Sequence, residues 1–182
     1  MARGRPSKKQ QILDTARSLF ADFGYQGTSI DLVVQRAGVS KPTVYNNFST
    51  KQAMLLELLP QMLGEISAAR QQIDNDTEMV AGIIESFRQL VQRNDWLAIY
   101  RIAWGERHKM EPEVYAQLGL LEQQQEQWIG QWLEEKQGCR PDSARLFMIR
   151  ALCREAVIVT TLSAQLPDYP ALERQLASVL IV

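Results

Sequence analysis

Residues 41–47, KPTVYNN, concentrate the side chains best suited to recognition chemistry in this chain. On a short helix Val44 and Phe48, at i and i+4, turn inward. Lys41, Pro42, Thr43, Tyr45, Asn46 and Asn47 then face outward: a cation, hydroxyls, two carboxamides and a phenol ring with no packing duty. Such a set matches base edges and phosphate oxygens. Nothing comparable exists for bond-breaking chemistry. His108 is the single histidine, there is no Glu-x-x-His pair, and Cys139 and Cys153 stand 14 positions apart. That inventory supports neither a zinc site nor a disulfide framework, and it supplies no base for a cysteine nucleophile. Neither catalysis, a cofactor nor a metal is expected.

The elements that must position 41–47 are legible on either side. Ile30, Val33, Val34 and Ala37 give a preceding helix one apolar face, Gly38 permits a positive-φ turn, and Ser40 can cap the helix that follows. Earlier, Ile12, Ala16, Leu19, Phe20 and Phe23 recur at helical spacing, so residues 7–23 form a helix capped by Ser7 and ended by Gly24. The result is a three-helix unit of helix-turn-helix type.

Charge is distributed to match. The net charge is −1, yet residues 1–51 hold eight basic and three acidic side chains, leaving 12 basic and 18 acidic for 52–182. A basic head and an acidic body suit an anionic polymer met by the head alone. The tail Ala2–Pro6 is polar and rich in Gly and Pro. Arg3 and Arg5 either enter a minor groove or belong to a solubilising tail. Lys51 falls in the first turn of the next helix, where a cation opposes the helix dipole, and a phosphate there would reconcile the two.

Beyond residue 50 the pattern stays helical. The helix opened by Thr50 or Ser49 contains Pro60, which is expected to kink or break it near 56–60. Further helices are expected over 77–93, capped by Thr77, and over 95–108, 112–137, 141–165 and 168–181. No segment alternates as a strand, so the fold class is all-α, with about nine helices. No apolar run reaches the roughly 18 residues of a membrane span, and MARGRPSKKQQ lacks the apolar stretch of a signal peptide, so a cytoplasmic chain without membrane contact is expected. The division expected is a DNA-binding domain over 1–52 and a ligand-binding and dimerisation domain over 53–182.

Two surfaces distinguish the body. Phe87, Trp96, Tyr100, Trp104, Tyr115 and Trp128, with Arg107 and His108 nearby, are either core packing or the wall of a ligand pocket. Residues 151–162 are apolar on nearly every face, and the last helix adds Leu172, Leu176, Val179 and Leu180. Ala156, Val157, Val159, Thr160 and those four residues then either meet a second copy of the chain in a four-helix interface or form an ordinary core.

Residues 7–55 resemble the DNA-binding head of the TetR family of bacterial transcriptional repressors, through ILDTARSLFADFGYQGTSI and VSKPTVYNNFSTKQAML. The resemblance rests on Gly24, Gly27, Thr28, Gly38, Tyr45, Phe48 and Lys51 together and covers about a quarter of the chain. It implies that Thr28 caps the first motif helix and meets a phosphate. Lys41, Pro42, Thr43 and Tyr45 would face the major groove, with Asn46, Asn47 and Lys51 on phosphates. Asn47 and Gln52 depart from the family's aromatic or His residue and Glu. The resemblance further implies a homodimer on a near-palindromic double-stranded operator, released by a small-molecule effector. The kink at Pro60 and the helix of Trp96 to His108 are the candidate coupling path, on their placement alone. The competing reading is a helical protein–protein adaptor, which leaves the outward polar cluster and its surrounding charge unexplained.

Overall fold

The computed structural model describes residues 7–180, the Arg107 side chain excepted, and every regular element among them is helical. Arg3 and Arg5 therefore lie outside the described residues. The helices are α1 (Lys8–Gly27), α2 (Ile30–Ala37), α3 (Lys41–Asn47), α4 (Lys51–Gln71), α5 (Met79–Gln92), α6 (Asn94–Gly105) and α7 (Pro112–Gln137), with a 3₁₀ turn at Arg107–Lys109. After α7, α8 begins as Ser143–Cys153, widens into a π-helical segment at Arg154–Val159 and closes with Thr160–Leu162. The last helix, α9, is Tyr169–Leu180. No described helix is long and apolar enough to cross a membrane.

The chain forms two compact units. One runs up to Met62 and takes in Asn94–Leu118; the other comprises Leu63–Arg93 and Gly119–Val182. The first unit has its core on α1, where Ile12, Ala16, Leu19 and Phe20 are buried with Val33, Val44, Phe48 and Leu58. Phe23 departs from that stripe and is exposed, because the helix breaks one residue later. Polar clamps join α1 to α6: Arg17 Nε donates to Asp95 Oδ2 at 2.8 Å, and Asn94 Nδ2 donates to Ala21 O at 3.3 Å.

In the second unit, Ile83, Phe87 and Leu90 of α5 are buried, as are Ile129 and Leu133 of α7 and Ile149, Val157 and Ile158 of α8. Trp132 lies against Gly82, whose missing side chain makes room for the indole, and its Nε1 donates to Met79 O at 2.9 Å. α9 packs on α5 and α8, and Arg88 sits 4.4 Å from the Tyr169 ring centre.

Three expectations need correction. α4 continues without a break through Pro60, whose ring is exposed, and the boundary between units falls after Met62. Thr77 does not cap α5: Glu78 holds the capping position without a side-chain bond, and the Thr77 N–H closes a turn onto Asp74 O at 2.9 Å. Val157, Leu172, Leu176 and Leu180 are buried inside this chain's own α5, α8 and α9 cluster, so they form core and not an outer face. Ala156, Val159, Thr160 and Val179 are half-buried. The exposed apolar groups in this region are Phe147 (61 %) and Met148 on α8, and Leu166 (95 %) in the loop before α9.

The two cysteines differ sharply in reactivity. Cys139 is exposed, whereas burial pushes the Cys153 thiol up to about 12. One thiol per native chain should react with a maleimide near neutral pH, and two after unfolding in urea. Two labelled thiols in the native chain would contradict the packing around Cys153.

Candidate nucleic-acid interface

α2 and α3 are both capped by serines and joined by a left-handed glycine. Ser29 Oγ accepts from Leu32 N at 3.1 Å, and Gly38 at φ 62° places its N–H on Val34 O. Ser40 Oγ accepts from Thr43 N at 3.3 Å, with Pro42 in the first turn where its missing N–H is harmless. Val44 and Phe48 are buried, and the Phe48 N–H closes the helix on Val44 O at 2.8 Å. The turn is also tied from α1, where Gln11 Nε2 donates to Ala37 O at 2.7 Å.

The expected outward face is present. Ser40, Lys41, Pro42, Asn46 and Asn47 are exposed, Tyr45 is 47 % exposed and Thr43 is half-buried. Lys41 Nζ lies 2.7 Å from Asp31 Oδ1, and that hydrogen bond holds its ammonium pKa above the usual lysine value. Asn47 Nδ2 donates back to Thr43 O at 2.8 Å, which fixes the side chain against its own helix. The Thr43 and Ser40 hydroxyls are 2.7 Å apart.

Thr28 and Lys51 are both engaged within the head itself. The cap of α2 is Ser29, while Thr28 is fully buried and its hydroxyl donates to Gly24 O at 2.8 Å. Two adjacent hydroxyl residues compete for the cap, and Thr28 loses because the chain turns it into the core. Gly24, at φ 70°, interrupts α1 and starts one further turn. The Glu106 carboxylate receives the first N–H groups of that turn, from Tyr25 at 2.9 Å and Gln26 at 2.6 Å. Lys51 Nζ closes its other end, donating to Tyr25 O at 2.7 Å and Thr28 O at 3.0 Å, with the Tyr25 ring centre 4.2 Å away. An acid at the N–H end and a base at the carbonyl end both complement the turn's dipole. Burial pushes the Lys51 pKa below its ordinary value, partly opposed by Glu106. Sequence reasoning missed Glu106 in this role because it is 81 residues from Tyr25.

The aromatic set does not assemble as one pocket wall. Phe87 is core of one unit, and Trp96 and Tyr100 are core of the other, where Trp104 packs edge-on against Tyr100 at 5.2 Å. Trp104 and His108 are exposed, Tyr115 is half-buried, and Arg107 lies in the 3₁₀ turn with its side chain outside the described residues. Of the eight expected residues, Trp128 lines a cavity of about 450 Å³ in the second unit, between α4 and α7.

Capped short helices, a left-handed turn and an exposed polar second helix define a helix-turn-helix protein with an all-α body. Residues 12–58 match the model of the bacterial regulatory proteins, tetR family. The HTH-type transcriptional activator FasR of Mycolicibacterium smegmatis is 30% identical over 118 residues, 63% of this chain and 53% of that protein. The HTH-type transcriptional repressor AcnR of Corynebacterium diphtheriae is 31% identical over 96 residues, 50% of this chain and 45% of the repressor. The chain thus spans about half the length of these curated relatives. The transcriptional regulator FadR from Bacillus subtilis, solved with stearoyl-CoA, has the same fold at a TM-score of 0.69 and 18% identity, over 94% of this chain and 97% of that one. The head of the chain is thus similar to that of the bacterial regulatory proteins of the tetR family.

Two measurements separate the lysines and test the broken turn. In a salt series of DNA binding, Lys41→Ala should lower the slope of log K against log salt by about one, and Lys51→Ala should leave the slope unchanged while weakening the fold. Equal slope losses would place Lys51 on phosphate after all. Gly24→Ala should cost roughly 1–3 kcal/mol in urea unfolding, because a Cβ there meets Glu106 Oε1 at 2.6 Å and φ is positive.

Proposed function

We propose that this chain is a transcriptional repressor that binds a near-palindromic double-stranded operator as a homodimer and is released by a small-molecule effector. The observation that carries the reading is the α3 face: Lys41, Tyr45, Asn46 and Asn47 exposed together on a helix anchored by Val44 and Phe48. On this reading residues 1–52 are the DNA-binding domain and 53–182 the effector-binding and dimerisation domain. The two α3 helices of the dimer enter successive major grooves about 34–36 Å apart. Thr28 and Lys51 support α2 and α3 from behind. FasR and AcnR, an activator and a repressor, support gene regulation as the shared activity.

Dimerisation is supported by the exposed apolar groups Phe147, Met148 and Leu166, which a second copy of the same surface would cover. The structure of FadR in complex with stearoyl-CoA supports a small-molecule effector for a chain of this fold. α4 supports coupling, since it bears Lys51 in its first turn and Arg70 in its last. The site of action is the cytoplasm, where the operator is.

The test is fluorescence anisotropy on DNA flanking the chain's own gene, against a random duplex. Saturable binding at two chains per site, resistant to competitor and weakened by Tyr45→Ala at least about tenfold, is the expected result. Binding that matches random DNA and ignores the substitution would remove the reading. Phe147→Glu should shift the chain from dimer to monomer in sedimentation; a persistent dimer would place the interface elsewhere.

A further inference from the structure

Polar side chains of α4 and α7 fall into two sets, one bonded within the protein and one not. The bonded set is buried. Arg70 Nη2 donates to Gln125 Oε1, Gln125 Nε2 donates to Ser86 Oγ at 3.1 Å, and Ser86 Oγ donates to Ile83 O at 2.7 Å. Arg70 is 2 % exposed and has a further interaction besides its bond to Gln125. Its charge is spent inside the fold, as a buried cation requires. Beside it lies the cavity of about 450 Å³.

The unbonded set lines that cavity. Gln124, Gln127, Trp128 and Gln131 follow one another at i, i+3, i+4 and i+7, so they share one face of α7. Gln71 of α4 stands in the lining with them. None of these five side chains is hydrogen-bonded to another described residue, and Gln124 Oε1 is buried as well. A buried acceptor without a donor is costly. Gln71, Gln127 and Gln131 are exposed, which puts carboxamides from both helices in reach of solvent. The Trp128 ring stacks on Trp132 at 5.4 Å between centres and 15° between planes. Trp132 is buried, lies against Gly82 and gives its N–H to Met79 O, whereas Trp128 is half-buried.

We propose that this cavity binds a neutral carbohydrate of one or two pyranose rings, its C–H face on Trp128 and its hydroxyls on the carboxamides of α4 and α7. The proposal rests on the reading above that this part of the chain binds an effector, and it names the effector's chemistry. A lipophilic ligand asks for a mostly apolar wall, and this wall is rich in carboxamides. An anion asks for an uncommitted cation, but Arg70 is engaged within the fold, and Lys136 is held on Asn75 O and over the Trp132 ring. An organic cation asks for a desolvated carboxylate, whereas Glu135 is exposed and screened by water. A carboxamide both donates and accepts, as a hydroxyl does, so a row of them pairs with neighbouring hydroxyls whichever way each proton points. A pyranose combines such hydroxyls with an apolar C–H face, and an indole ring is the matching surface.

The test uses the full chain without DNA, with maltose, cellobiose, lactose and mannobiose as probes and 2-naphthoate and 2-naphthylmethylamine as charged aromatic controls. Calorimetry should show at least one of the sugars binding, and more tightly than either control. Trp128→Ala should weaken that sugar about tenfold, with circular dichroism reporting its folding. The double variant Gln127→Ala, Gln131→Ala alters exposed positions only, so it keeps the test alive if Trp128→Ala misfolds, and it should weaken the same sugar about threefold or more. No binding of any sugar, a control that binds more tightly than every sugar, or an affinity unchanged in the glutamine variant or in folded Trp128→Ala would overturn the assignment. Those results leave operator binding untouched, and failure of operator binding leaves the cavity's preference intact, so the two readings fall separately.

Discussion

The head depends on one broken helical turn and the two charges that close it. Gly24 leaves α1 at a positive φ, and the turn that follows exposes N–H groups at one end and carbonyls at the other. Glu106 occupies the first end and Lys51 the second, so a single turn of backbone joins α6, α1 and α4. Opposite charges at opposite ends of a dipole are additive here, and partial burial of Lys51 reduces the screening that would weaken them in water. The same turn carries Thr28 into the core and so delivers Ser29 to the start of α2. Where α2 begins decides where α3 points.

α3 cannot secure itself. Seven residues are too few for an isolated helix, since nucleation is unfavourable and only a few backbone bonds follow. Its order comes from outside: a serine cap, a proline in the first turn, and the buried Val44 and Phe48. Every apolar side chain it has is used in that anchoring except Pro42 and part of Tyr45. The face that remains is polar because the helix has nothing else left to show.

Local periodicity made the helices legible, and distance hid what joins them. The span 112–137, the serine caps at Ser7 and Ser40, the glycine turn at Gly38 and the inward pair Val44 and Phe48 are all short-range patterns, and the structure contains each of them. The Glu106 clasp and the Arg70, Gln125 and Ser86 relay connect residues 39 to 81 positions apart, and no spacing rule reaches that far. The aromatic stripe of Trp96 and Tyr100 illustrates the opposite limit. Its spacing revealed a helix face truly, but a face that becomes core and a face that lines a pocket have the same spacing. α4 runs through Pro60 for a physical reason as well: an exposed ring on a long helix loses one backbone bond, and the rest of the helix retains its own.

Two kinds of basic group therefore have to be distinguished in the head. Lys51 lies where its charge is spent on carbonyls and a ring, and its contribution is to the shape of the unit. Lys41 is exposed and paired with Asp31, also exposed. Such a surface pair is weak, because water competes for both partners. On the proposed reading that weakness is useful: the pair orients Lys41 beside the outward face of α3 while leaving an incoming phosphate able to replace the carboxylate.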